Sequence, residues 1–189
     1  MAGEPEAEGD NRRLNRLVAV TVVILSVFMA VAKVKDDNIV QAMMKAKQES
    51  VDAWAEYQAA RIKLHVDENG LLTLRLLESA GNVDKALAAK QAAEYEADIT
   101  KYQARSKETR TKAESLEAEY DRLNAIDDQF DMSEAFVAIA IAVAAVAALT
   151  EIYALLVLSW VSGAAGMAFG LSGFLGWGLR SEFLVKLLS

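Results

Sequence analysis

Asp36-Asp37 and Asp127-Asp128, with Asp131, are the residues whose type and spacing come closest to chemistry. Each group sits where a long charged stretch meets a long apolar one. The five carboxylates share one layer if both stretches return to the same place. Hard divalent cations take several oxygens at once, and such a layer offers them. A solvated acidic collar, which ends helices in water, is the simpler reading, and Lys45 and Lys47 nearby neutralise part of its field. His65 is the single histidine and there is no cysteine, which removes zinc clusters, thiolate nucleophiles and disulfides. His65 lies near Asn69-Gly70 and reads as an exposed polar residue rather than a pH switch. The chain has no glycine-rich phosphate loop, no Gly-x-Ser-x-Gly elbow and no His-Glu-x-x-His. Trp54 and Tyr57 are a candidate interaction patch, with aromatic core as the competing role. The expectation is a non-enzymatic chain with no catalytic residue, no metal and no cofactor. With 20 basic against 27 acidic residues and a net charge of −7, a nucleic-acid surface is not expected either.

The elements that would position these residues are helical. One proline in 189 residues is too few for the repeated turns of a β protein. Residues 1–13 are small, acidic and aperiodic at their start, which reads as a disordered tail. Residues 14–34 form a first apolar span. Leu17 to Ala32 carries no charge, and Arg16 and Lys33 can snorkel at its rims to reach the length a bilayer crossing needs. A cleaved secretory signal ending at Ala30-Val31-Ala32 is the rival, and an uncleaved anchor is the expectation. Residues 132–150 and 152–176 give two further crossings, with Glu151 at an exposed turn because a carboxylate in mid-bilayer is costly. Gly163, Gly166, Gly170 and Gly173 fall on one stripe of the last span, where missing side chains let another helix approach. That stripe serves packing within the chain or between subunits. Residues 179–189 read as a short interfacial helix.

Between the spans, residues 35–131 are almost all good helix formers. Two places interrupt them, Asn69-Gly70 as a kink and Ala80-Gly81-Asn82 as a turn near 80–83. From Ala88 onward steps of 3 and 4 run through Ala92, Tyr95, Ile99, Tyr102, Ser106, Thr109, Ala113, Leu116, Tyr120 and Leu123, the spacing of a coiled-coil seam. Arms of similar length on either side of the turn describe an antiparallel helical hairpin, with Asp84 able to cap the returning helix. The expected fold is thus an all-α membrane protein, three transmembrane helices with a coiled-coil stalk between the first and second.

The run Ala32-Lys33-Val34-Lys35-Asp36-Asp37-Asn38-Ile39-Val40-Gln41-Ala42-Met43, then Trp54-Ala-Glu-Tyr57-Gln58-Ala59, Tyr120-Asp121-Arg122-Leu123 and Asp127-Asp128-Gln129-Phe130-Asp131, resembles the bacterial domain of unknown function 4337 family. The resemblance covers about Asn15 to Leu175. It implies a bacterial inner-membrane, multi-pass protein of matching layout and supplies no activity, ligand or catalytic residue. The positive-inside count favours a cytoplasmic stalk, while the arginines before the first span oppose it.

Trp54, Tyr57, a leucine cluster at 71–77 and the tyrosines exceed what one seam can hide. Self-association is therefore expected, as a membrane scaffold or spacer built on the stalk and the glycine-rich helix. The alternatives are a small oligomeric channel or gating protein, and an accessory subunit docking another membrane protein. The bilayer and other copies of the chain are the expected partners.

Overall fold

A computed structural model describes residues 4–177, with side chains described from Asn11 to Trp177. It holds three helices, α1 (Glu4–Ser79), α2 (Lys85–Thr150) and α3 (Tyr153–Leu175), and no strand among the described residues. The expected interfacial helix at 179–189 lies outside the described residues. The acidic stretch expected to be disordered is partly covered by α1, which begins at Glu4.

The ends of the helices follow from local chemistry. Asp84 precedes α2, and its Oδ1 accepts hydrogen bonds from the Ala86 and Leu87 N–H groups at 2.9 and 3.0 Å, which satisfies two of the donors a helix start leaves open. At the end of α1, Gly81 takes a φ of +72°, and Asn82 N–H returns to the Leu77 carbonyl at 3.1 Å. That is the left-handed closure for which glycine has no Cβ penalty. Gly176 closes α3 in the same way, with a φ of +65° and Trp177 N–H on the Ser172 carbonyl at 2.9 Å. Glu151, between α2 and α3, is exposed and takes a φ of +57°.

Asn69-Gly70 does not interrupt α1, contrary to the sequence expectation: the helix continues through both residues. The glycine instead sits at a close approach of a side chain on α2. A Cβ on Gly70 would lie 2.8 Å from the ring of Tyr95 on α2.

The chain divides into two compact units, one from Met1–Met43 with Asp121–Ser189, the other from Met44–Tyr120. In the first, all three helices present a seven-residue repeat to one another. Leu14, Val18, Leu25, Ala32 and Ile39 are buried on α1, and Leu123, Phe130, Val137, Ala140, Ala144 and Ala147 on α2. The α3 face is made of Leu156, Ser159, Gly163, Gly166, Gly170 and Gly173. Three apolar clusters stack along this unit, from Leu14 with Ala144 and Leu156, through Leu25 with Val137, to Ile39 with Leu123 and Phe130. All three helices are long and apolar enough to cross a membrane. Their outward faces are Val20, Val23, Val27 and Val31 on α1, Ile139 and Val146 on α2, and Val157, Val161 and Leu171 on α3, all exposed.

In the second unit, burial on α1 steps by 4 and 3 through Ala46, Ser50, Ala53, Tyr57, Ala60, Leu64, Asp67, Leu71 and Leu74. On α2 the less exposed positions are Ala88, Ala92, Tyr95, Ile99, Tyr102, Ser106, Thr109, Ala113, Leu116 and Tyr120. Contacts between the two stretches pair Lys47 with Tyr120, Trp54 with Glu117, Glu56 with Arg105, Lys63 with Tyr102 and Arg75 with Glu96, rising on one helix as they fall on the other.

Candidate functional site

The carboxylates singled out in the sequence are brought together; Asp37 and Asp131 are exposed as in the solvated collar expected, Asp127 and Asp128 are half-buried, and Asp36 departs from it. Asp36 is only 3% exposed, held in the first unit between α1 and the turn of α2 that carries Asp127 and Asp131. Its Oδ2 receives the Lys33 ammonium at 3.0 Å. Lys33 also lies 3.8 Å from Asp37 and 3.7 Å from Glu134, so one cation serves three carboxylates. The remaining Asp36 oxygen, Oδ1, is buried without a hydrogen-bond partner, and so is Oδ2 of Asp128. A buried acceptor without a donor costs the fold a desolvation penalty.

Crowding of like charges changes the acid strength of this layer. Partial burial first, then a hydrogen bond to the Asp36 carboxyl and the charges of Asp131, Asp36 and Asp128, push Asp127 up to about 7. Asp131 is raised as well, by burial and by Asp36, with Lys33 pulling the other way. A cavity of about 10 Å³ lies beside Asp36, lined by Lys33, Ser133, Glu134 and three apolar side chains. That is close to the room one water molecule needs, and four polar groups border it. Among the described residues no group of three histidine, cysteine or acidic side chains is arranged to hold a metal ion.

Sequence reasoning placed Lys33 at a membrane rim and left Glu134 aside, although Lys33 with Asp36 and Asp37 has the i,i+3 and i,i+4 spacing of helical ion pairs. It also missed the buried hydrogen bond between Ser172 and the Gln129 side chain. The signal for that pair was the row of serines on α3. Ser159 and Ser162 use the same face to donate to the Ala140 and Phe136 carbonyls at 2.7 and 2.9 Å.

The glycine stripe is filled by the chain's own side chains. A Cβ would meet Leu25 at Gly163, Val137 and the Ser133 carbonyl at Gly166, Phe28 and Ser133 at Gly170, and Phe130 at Gly173. The four glycines therefore pack α3 against α1 and α2 of the same copy.

The second unit places the remaining candidates. Trp54 stacks edge-on against Tyr57 with ring centres 5.5 Å apart, and its Nε1–H donates to Glu117 at 2.9 Å. Tyr95, Ile99, Tyr102, Leu116 and Tyr120 are half-buried, and Leu123 belongs to the first unit, where it packs on Ile39 and Phe130. His65 is exposed between Arg61 at 3.2 Å and Glu68 at 3.0 Å, all on α1. Where Ala59 and Ala60 leave space opposite Tyr102, a cavity of about 390 Å³ opens, bordered by Glu56, Lys63, Lys101 and Arg105. Its cations are engaged already, Arg105 with Glu56 at 2.7 Å and both lysines over the Tyr102 ring.

One feature of this unit faces away from α2. Met44, Val51, Ile62, Val66, Leu72 and Leu76 are each more than half exposed. With Ala55 they form a second apolar stripe on α1, on the side opposite its buried face.

A family model described as a domain of unknown function (DUF4337) matches residues 14–176, and the chain belongs to that family. No curated protein and no solved structure matches.

Proposed function

We propose that this chain is a non-enzymatic, multi-pass protein of the bacterial inner membrane, with residues 44–120 forming an antiparallel helical hairpin through which copies self-associate as a scaffold or spacer. The observation that carries the reading is the double-faced stretch of α1. Its buried face already serves α2, so the outward stripe of Met44, Val51, Ala55, Ile62 and Val66 has no apolar partner among the described residues. An exposed row of that length marks an interaction surface in a folded protein.

A second copy fits the stripe best. Copies anchored in one bilayer run parallel, and in a parallel pair each position meets its own equivalent, so Val51 faces Val51 and Ile62 faces Ile62. Gln48, Gln58 and Asn69 lie within the stripe. Polar residues at such positions pair across a seam and fix register at some cost in stability. Lys47 and Asp52 flank it five residues apart, the offset at which opposite charges of two parallel helices meet. The membrane part of the reading rests on the three apolar helices and their exposed valines and leucines, for which lipid is the matching solvent.

The test is the mass of the complex extracted in mild detergent, beside a double variant, Val51→Ser with Ile62→Ser. Wild type is expected to run as a discrete homo-oligomer and the variant as a monomer of unchanged helical content. A monomeric wild type, or a variant that keeps its mass, overturns the proposal.

A further inference from the structure

We propose that Asp36 and Asp127 form a proton-binding site, a carboxyl–carboxylate pair that holds one shared proton between α1 and α2 at the edge of the apolar span. The site is built from geometry. Asp36 keeps only 5% of its side chain accessible, and Lys33 satisfies one of its two oxygens. The other oxygen is sealed from solvent with no donor in reach. Asp127 meets the Asp36 carboxyl side chain to side chain. Two carboxylates are both acceptors, so that meeting is a hydrogen bond only when one of them carries a proton. A proton on Asp127, donated to Asp36, supplies the missing donor and removes one of two adjacent negative charges.

The surroundings select a proton over a larger cation. The cavity beside Asp36 accommodates about one water at 10 Å³, and metal-ligand groupings are absent among the described residues. The charged groups acting on the pair are Lys33 and Asp37 on α1 and Asp128, Asp131 and Glu134 on α2; α3 carries no charged residue. Lys33 is shared among three carboxylates, and the upward pKa shifts of Asp127 and Asp131 agree with uptake of a proton.

Binding is a simple addition: the Asp127 carboxylate, half-buried, takes up a proton from water and releases it to water. The test is a pH titration of full-length protein in lipid nanodiscs, followed by the infrared carbonyl band of protonated carboxyl groups and by isotope-labelled aspartate resonances. A carboxyl titrating with a midpoint at about 7 is expected in wild type. Asp127→Asn should abolish it, Asp36→Asn should move it down towards the ordinary carboxylate range, and Asp98→Asn, whose carboxylate pairs with Lys101 in the second unit, should leave it in place. The proposal is overturned if no wild-type carboxyl titrates above about pH 5, close to ordinary values. It is equally overturned if Asp127→Asn spares the signal. Wild type alone decides the first outcome, so a variant that fails to fold does not protect the idea.

Discussion

At the scale of single residues, the decisive question is what each atom would displace. A methyl on Gly166 would come within 2.7 Å of Val137 Cγ2 and 3.0 Å of the Ser133 carbonyl and the Val137 amide. Backbone cannot swing aside, so Gly166→Ala should cost about 1–3 kcal/mol, the range for overpacking a tight core. Gly70→Ala meets a neighbour just as close, but that neighbour is the far end of the Tyr95 side chain. Rotation of the ring relieves it, and alanine gains about 1 kcal/mol of helix propensity over glycine. Thermal unfolding in detergent should therefore separate the two variants clearly, with Gly70→Ala near wild type. Asp127 adds a pH term with a definite sign. Its folded pKa is raised to about 7 from an ordinary 3.8, so the folded chain binds a proton that the unfolded chain has released across that window. Stability contributed by this group is present at low pH and falls as pH rises from about 4 to 7. The difference between wild type and Asp127→Asn in unfolding temperature should narrow or reverse across that interval. A difference that stays flat would remove the linkage.

At the scale of elements, patterning carried much of the information. The steps of 3 and 4 from Ala88 to Tyr120 are where burial on α2 falls, because a helix meeting one neighbour can hide only one stripe. The cap at Asp84 and the left-handed Gly81 were legible for the same reason, since each answers a local requirement of a helix end. Gly70 was misread because a glycine that breaks a helix and a glycine that admits a ring look identical in one dimension. The burial of Asp36 was also hidden. Five acids in a row of polar residues suggest water, and only the approach of α2 shows which one is sealed. The two faces of α1 make a further contrast. Ala53 is 2% exposed on the inner face, whereas Val66 is 62% exposed on the outer one. Ala53→Leu should lower stability by about 1–3 kcal/mol through overpacking. Val66→Ser should leave the stability of a dispersed single copy within about 0.5 kcal/mol, as surface changes usually do, while weakening self-association. Chemical unfolding of both variants, alongside their masses in detergent, separates the faces.

At the scale of the whole molecule, an exposed apolar side chain has two explanations, and exposure cannot distinguish them. Val23 on the first unit is 60% accessible and Leu87 on the second is 66% accessible. If the chain crosses a bilayer, lipid covers the first while water reaches the second; if it does not, both meet water alike. The chain has no cysteine, so single cysteines placed at 23 and 87 report without background. In intact proteoliposomes, a water-borne maleimide should label Leu87→Cys readily, after opening of the vesicles where needed, and leave Val23→Cys unreacted until the protein is denatured. Val27→Cys and Val161→Cys should behave as Val23→Cys does, because both lie on the outward faces of apolar helices. Equal labelling at all four positions would mean that the valines of α1 and α3 face water or a protein partner that admits it. The three apolar helices would then need a protein cover instead of lipid, since rows of exposed valine and leucine are not sustained by water alone. Protection of the span positions with labelling at 87 makes the bilayer the solvent of the first unit, and leaves the outward stripe of α1 in the second as an apolar face that lipid does not cover.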